Sequence, residues 1–281
     1  MKIKITSDST CDLSDELIKK YDIGIVPLYI VKDGTSLKDG IEITAQDIFK
    51  HFEATGRLCS TAAVNVIDYT NTFDEYLKEY DAVIHFTISS EMSVCYQNAF
   101  ISANEFKDRV YLIDSRNLSA GIGLLVIDAA MMAAEGIDAS EIKEEIDKKK
   151  KKLDVSFVLD TLTYIHKGGR CSAIAALGAN LLQLRPCIEV RNGSMGVGKK
   201  YRGNLETCFI KYIEDKLLEA SDIDYSRIFI TDSGVERNVS DRVFETVKRC
   251  GPFGEILRTR AGCTISSHCG PNCLGILFYR K

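Results

Sequence analysis

The sequence predicts an α/β protein whose first part is built on a mainly parallel, doubly wound sheet. Strand-like apolar segments alternate with helical stretches of roughly ten or more residues, the pattern expected of βαβ units. A turn rich in hydroxyl or acidic residues follows several of these strands. The chain of 281 residues is 45% hydrophobic, which is enough for a sizeable buried core.

The first elements follow this alternation. A strand around residues 3–5 enters the polar turn at residues 6–10, and a helix is predicted for residues 14–21 with Ser14 as its N-cap. Residues 23–31 are predicted to form a second strand. That strand contains Pro27, which cannot donate to a sheet ladder and therefore indicates an edge position or a bend.

A second cluster of small polar residues precedes a helix. After the helix predicted for residues 44–52, Ser60 and Thr61 stand just before the helical stretch 66–78. On local pattern alone these hydroxyls indicate a capping loop. A ligand contact is the alternative interpretation.

The segment that organises the prediction is the apolar strand 82–88, which runs into a hydroxyl-rich turn. The next helix is predicted to begin near Val94, so Ser93 and free backbone N–H groups stand at its N-terminus. Such a terminus attracts anions. Ser93 is therefore either a plain N-cap or part of an anion site.

A charge shift marks the predicted domain boundary. After a strand at 110–113 and an apolar helix at 121–134, the helix 140–152 begins with glutamates and ends in five lysines at 148–152. The lysines either complement the helix dipole or make transient contact with an anionic membrane. We therefore divide the chain into an N-terminal α/β domain, residues 1–153, and a C-terminal α/β domain, residues 154–281.

The second domain is predicted to contain a mixed sheet. Asn192-Gly193 is a hairpin-turn signal, and residues 172–184 are expected to be helical before it, as are residues 240–249 after it. The terminal segment Ser266 to Pro271 is expected to be a turn. The predicted strands cover residues 155–159, 187–190, 228–231, 255–260 and 274–279.

Composition excludes several functions. A net charge of −4 and a pI near 5.7 give no electrostatic reason to expect nucleic acid. No apolar run approaches the ~20 residues of a membrane span, so we expect a cytoplasmic protein. The ten cysteines are expected to be reduced thiols. Cys263, Cys269, Cys273 and His268 suggest zinc, but without a C-x-x-C pair we expect neither metal nor cofactor.

Six short polar motifs occur in a characteristic order along the chain. They are Thr6-Ser7-Asp8-Ser9; Ser60-Thr61; Ser89-Ser90 through Ser93 with Tyr96-Gln97; Lys167-Gly168-Gly169-Arg170; Lys200 with Arg202-Gly203; and Ser267-His268-Cys269-Gly270-Pro271. This order and spacing resemble the DegV family of bacterial fatty-acid-binding proteins, nearly end to end. The chain departs from the family pattern at residues 62–64, at Val94-Cys95 and at Cys269, which affects the details of the pocket.

The resemblance implies a lipid carrier. One long-chain fatty acid would lie in a cleft between two α/β domains, with its carboxylate bonded by Thr61 and Ser93 and with His268 close by. The family presents this lipid to a separate fatty acid kinase subunit, which forms an acyl phosphate for phospholipid synthesis. The chain would then be no enzyme by itself. The residues expected to face the kinase are Lys167, Arg170 and Arg202.

Two other functions stay open on the sequence. One is a hydrolase that uses Ser93 or Cys95 with His268, although the chain has no G-x-S-x-G elbow. The other is a small polar ligand binder associated with a kinase, similar to the sugar-binding proteins of dihydroxyacetone kinases. A copurified lipid would distinguish the carrier from both.

Overall fold

The computed structural model describes residues 1–172 and 184–281, and its first half alternates strands with helices. Short 3-10 helices at Ser9–Cys11, Asn104–Phe106 and Lys150–Lys152 complete this half. In chain order the elements are β1 (Ile3–Asp8), α1 (Asp15–Lys20), β2 (Gly24–Val26), β3 (Tyr29–Lys32), β4 (Thr35–Lys38), α2 (Ala45–Thr55), β5 (Ser60–Ala62), α3 (Val66–Tyr76), β6 (Ala82–Thr87), α4 (Cys95–Ala103), β7 (Val110–Asp114), α5 (Ala120–Ala134) and α6 (Ala139–Lys149).

The second half begins with β8 and ends with β13. The helix predicted for residues 172–184 lies outside the described residues except at its two end positions. The elements are β8 (Leu153–Val158), α7 (Thr163–Gly168), β9 (Leu184–Arg191), β10 (Ser194–Arg202), α8 (Leu205–Leu218), β11 (Ile223–Asp232), α9 (Arg237–Cys250), β12 (Glu255–Arg260), α10 (Cys263–Cys269) and β13 (Leu274–Arg280).

The first sheet is parallel throughout, in the order β2-β1-β6-β7. All six residues of β6 are buried, as expected for a strand covered on both faces, and this explains its continuous apolar sequence. The strand order reverses at β1, because β2 lies on one side of it and β6 on the other. Ligands bind at such a point, outside the carboxyl ends of the strands.

The second sheet is mixed, in the order β10-β9-β8-β13-β11-β12. Only the β11–β12 pair is parallel among its described neighbours. The fold-class prediction is therefore confirmed. One continuous core contains Ile84 of β6, Ile122 of α5 and Leu277 of β13, so the two halves share buried surface. The division at residue 153 stays a prediction.

Several predicted elements differ from the structure. The polar turn expected at residues 6–10 begins only after β1 ends at Asp8, and the capping loop expected at Ser60 and Thr61 is strand β5, while Asn65 caps α3. The single strand expected over residues 23–31 is wrong: Pro27 separates β2 from β3, which joins β4 and β5 in a separate antiparallel sheet. The turn expected around His268 is also wrong, because α10 runs to Cys269 and ends at Gly270, whose positive φ of 76° favours glycine. Helix α8 was not predicted.

The lysines at the end of the first half are largely paired. Lys148, Lys149 and Lys150 contact Glu145, Asp128 and Asp147 respectively, whereas the two following lysines are exposed. Within the described ranges, no helix combines the length and the apolar character that crossing a membrane requires. Membrane contact by this segment stays a prediction.

Candidate ligand-binding site

A cavity with about 860 Å³ of empty space, part of it open to solvent, lies between the two halves. The first half contributes loops that follow its strands and one residue of β5, and the second half contributes strands and the helices α7 and α10. The hydrophobic side chains that form most of its wall include Ile88, Met92, Leu118, Phe157, Met195 and Leu277. A cavity with such walls suits an aliphatic chain better than a polar metabolite.

Several hydroxyl groups also line this cavity, but they are bonded within the protein. Ser119 Oγ donates to Asp12 Oδ2 at 2.5 Å, and Ser156 Oγ lies 2.8 Å from the Tyr212 hydroxyl. Since the Tyr212 hydroxyl donates to the Ser156 carbonyl, Ser156 Oγ donates to Tyr212, so both of these serines have already donated their hydrogen within the protein and have none left for a ligand anion. The walls therefore stay effectively apolar.

Thr61, Ser93 and His268 all line the same cavity, as does Arg170. Thr61 lies in β5, where it pairs with Ile30 of β3. Its Oγ1 is 3.0 Å from His268 Nε2, a contact that joins residues 207 positions apart. The structure thus brings the sequence-predicted carboxylate ligands to one cavity, and their role in binding stays a prediction.

Ser93 lies two residues before α4 and is half-buried. Its Oγ accepts the Cys95 N–H at 3.2 Å and donates to Cys95 Sγ at 3.1 Å. The plain N-cap interpretation of Ser93 is wrong, because Val94 is the N-cap of α4 and the helix has no side-chain capping bond. Ser93 instead bonds the first helical residue and lines the cavity. Burial, with the nearby Asp8 carboxylate, raises the pKa of the Cys95 thiol to about 12, which keeps it protonated at neutral pH.

His268 is held as a neutral imidazole near neutral pH. Burial lowers its pKa to about 4, and the Arg170 cation adds to the effect. Among the described residues, Nδ1 has no hydrogen-bond partner. In the unliganded protein the imidazole therefore carries a positive charge only in acidic solution.

Two carboxylates from the first half hold the helix that carries His268. Asp39 accepts the Cys263 and Thr264 N–H groups at 2.9 and 3.1 Å, and Asp12 accepts the Gly262 N–H at 2.8 Å. These acids satisfy the first N–H groups of α10. Burial raises the pKa of Asp12 to about 8. Sequence reasoning missed both acids, because no local pattern links them to a helix more than 200 residues later.

The Asn192-Gly193 turn of the second half is hydrogen-bonded to the first half beside the cavity. As predicted, the turn connects two antiparallel strands, β9 and β10. Ser89 Oγ donates to the Gly193 carbonyl at 2.7 Å, and the Arg116 guanidinium donates to the Asn192 carbonyl. A side chain at Gly193, whose φ is 86°, would collide with both donors. The turn lies close to Met195 in the cavity wall, and sequence reasoning missed its partners.

The residues expected to face a kinase are all exposed. Arg170 lines the cavity, and its Nη1 donates to the Gly168 carbonyl at 2.7 Å. Lys167 lies in the last turn of α7 and Arg202 at the end of β10, and neither belongs to the described cavity lining. Their use as one docking surface stays a prediction.

Comparison with known proteins gives a consistent result. A family model described as "Uncharacterised protein, DegV family" matches residues 2–281. A DegV domain-containing protein of Caldanaerobacter subterraneus is 32% identical, covering 100% of this chain and 99% of the relative. A protein of Thermotoga maritima named "Fatty acid-binding protein" is 29% identical, covering 98% and 96%.

A solved structure extends the likeness to three dimensions. A DegV family protein from Thermus thermophilus, whose structure is described as showing fatty acid binding, superposes with a TM-score of 0.93. The two sequences are 27% identical, and the match covers 100% of both chains. The family model spans almost every residue, and the Caldanaerobacter relative is 32% identical over nearly its whole length. The chain therefore belongs to the DegV family.

Proposed function

We propose that this protein binds one long-chain fatty acid in the cavity between its halves, with the carboxylate on the Thr61 and Ser93 hydroxyls. The observation that carries the proposal is a cavity with apolar walls that Thr61, Ser93 and a neutral His268 also line. The fatty-acid-binding relatives support it. No cofactor is required for this function.

The energetics fit a fatty acid. Burying about sixteen methylenes contributes on the order of 12 kcal/mol gross, at ~0.8 kcal/mol each. A carboxylate buried without partners would cancel part of this gain. Two hydroxyl donors offset that cost, while Arg170 supplies a positive charge at the exposed edge of the site. The hydroxyls also leave carboxylate lone pairs free, whereas a bidentate arginine would occupy both oxygens.

The site favours a carrier over a hydrolase. His268 Nε2 bonds Thr61, and among the described residues no group orients the imidazole through Nδ1. The Cys95 thiol has a strongly raised pKa and is a poor nucleophile.

We therefore propose a carrier subunit without catalysis of its own. It presents the carboxylate to a separate fatty acid kinase subunit for acyl-phosphate formation in phospholipid synthesis, docking through Lys167, Arg170 and Arg202.

Native mass spectrometry of the purified protein tests the binding step. The expected spectrum shows one added mass in the range of a long-chain fatty acid, which gas chromatography identifies after solvent extraction. Ser93→Ala should retain less lipid, whereas Ser90→Ala, an exposed serine bonded to Asp114, should match the parent. An empty cavity that takes up no fatty acid after incubation, or a sugar in its place, would contradict the proposal.

A further inference from the structure

Gly168 stands against the ring of His268 at the end of α7. A Cβ added at this position would lie 3.2 Å from Cε1 and 3.4 Å from Cγ, and closer still to Nδ1. The backbone of Gly168 is helical and has no positive φ, so conformational freedom does not explain this glycine. The available reason is the close approach of the imidazole.

We propose that Gly168 is a positioning residue: its missing side chain lets the α7 terminus seat the His268 imidazole so that Nε2 meets Thr61. This inference rests on the proposed function, because it names how the Thr61 hydroxyl is aimed at the ligand. Helices α7 and α10 are in contact; α7 carries Gly168 and α10 carries His268.

The position of the His268 ring matters because it decides which ring nitrogen bonds Thr61. Thr61 Oγ1 has one hydrogen to donate, and a ligand carboxylate accepts only. If that hydrogen goes to the carboxylate, Oγ1 must accept from His268, so the neutral imidazole carries its hydrogen on Nε2. Nδ1 is then the bare nitrogen, and it faces the Gly168 backbone, where among described residues it has no partner.

The chain offers a matched control. Gly196 in β10 also lacks a positive φ, and a Cβ added there would meet no described atom within 4 Å. Its neighbour Met195 lines the cavity, so Gly196→Ala perturbs the same region without touching the imidazole. Gly168→Ala, by contrast, adds one methyl group to a helical position, which itself favours the helix.

The experiment is a double-mutant cycle on fatty-acid affinity. Gly168→Ala should weaken binding about three- to tenfold, the factor for one lost hydrogen bond. In a His268→Ala background the same change should have no effect, because the vacated ring space accepts the methyl group. Equal losses in both backgrounds, or no loss in the parent background, would overturn the inference.

A second readout needs no ligand, because a hydrogen on Nδ1 would face the Gly168 backbone without a described acceptor whether or not a carboxylate is bound. Nitrogen-15 spectra of the His268 ring should show Nε2 protonated in the parent and in Gly196→Ala, with a mixture of tautomers in Gly168→Ala. Unchanged ring signals in Gly168→Ala would also overturn the inference. A parent protein that shows the expected ring signals yet binds no fatty acid would refute the proposed function. The role of Gly168 in positioning the His268 ring would still stand.

Discussion

Replacing Thr61 by valine removes one hydroxyl and keeps the shape of the side chain. Two bonds are lost at once, the proposed bond to the ligand carboxylate and the 3.0 Å contact with His268 Nε2. A hydrogen bond to a charged group contributes about 1.5 to 3 kcal/mol. We therefore expect fatty-acid affinity to fall about 10- to 150-fold, at 1.4 kcal/mol per factor of ten.

Displacement of a fluorescent fatty acid measures this loss directly. Thr35→Val is the matched control, since Thr35 is exposed in the same three-stranded sheet and lies outside the described cavity lining. Valine suits strands, so both variants should fold, and thermal unfolding checks this. If Thr61→Val binds as tightly as Thr35→Val, the carboxylate lies elsewhere and the assignment of the site is incorrect.

Three further predictions concern pH, exchange and docking. The pKa of Asp12 is about 8 in the folded protein and near 4 ordinarily, so its contribution to stability is complete below pH 4 and is lost as pH rises through 8. In Asp12→Asn the free energy of unfolding should therefore depend less on pH between 4 and 8. Arg116→Ala frees the Asn192 carbonyl and should speed fatty-acid release in stopped-flow exchange, while exposed Arg191→Ala should not. Lys167→Glu, at an exposed residue outside the described cavity lining, should slow kinase-dependent acyl-phosphate formation and change its salt dependence with retained lipid unchanged; a parallel fall in both would mean that Lys167 serves the pocket or the fold.

The sequence predicted the parts of the site that follow local rules. The clusters that contain Thr61 and Ser93 were identifiable because each precedes a predicted helix and the second also follows an apolar strand. Their assignment to the carboxylate came from the family resemblance. Alternation of strands and helices predicted the parallel sheet, and the Asn192-Gly193 pair predicted the hairpin. His268 was identified only through the motif shared with the family, since no local pattern marks a histidine as a ligand-site residue.

The parts that failed depend on distant contacts. Helix α10 has only seven residues, many of them cysteine and serine, and no apolar periodicity; the Asp12 and Asp39 carboxylates hold its N-terminus from the first half. The requirement for glycine at position 168 likewise comes only from its contact with the distant His268 ring. The division of residues 23–31 between two sheets arises from how β3 packs, although Pro27 correctly indicated the bend.

Carbon-13 NMR of a carboxyl-labelled long-chain fatty acid tests the central claim most directly. Titrated into the delipidated protein, the label should give one bound carboxylate resonance that saturates at one equivalent. That resonance should shift in Thr61→Val and in Ser93→Ala, and keep its position in Thr35→Val. A bound resonance unaffected by either cavity variant, or the absence of any saturable resonance, would contradict the account.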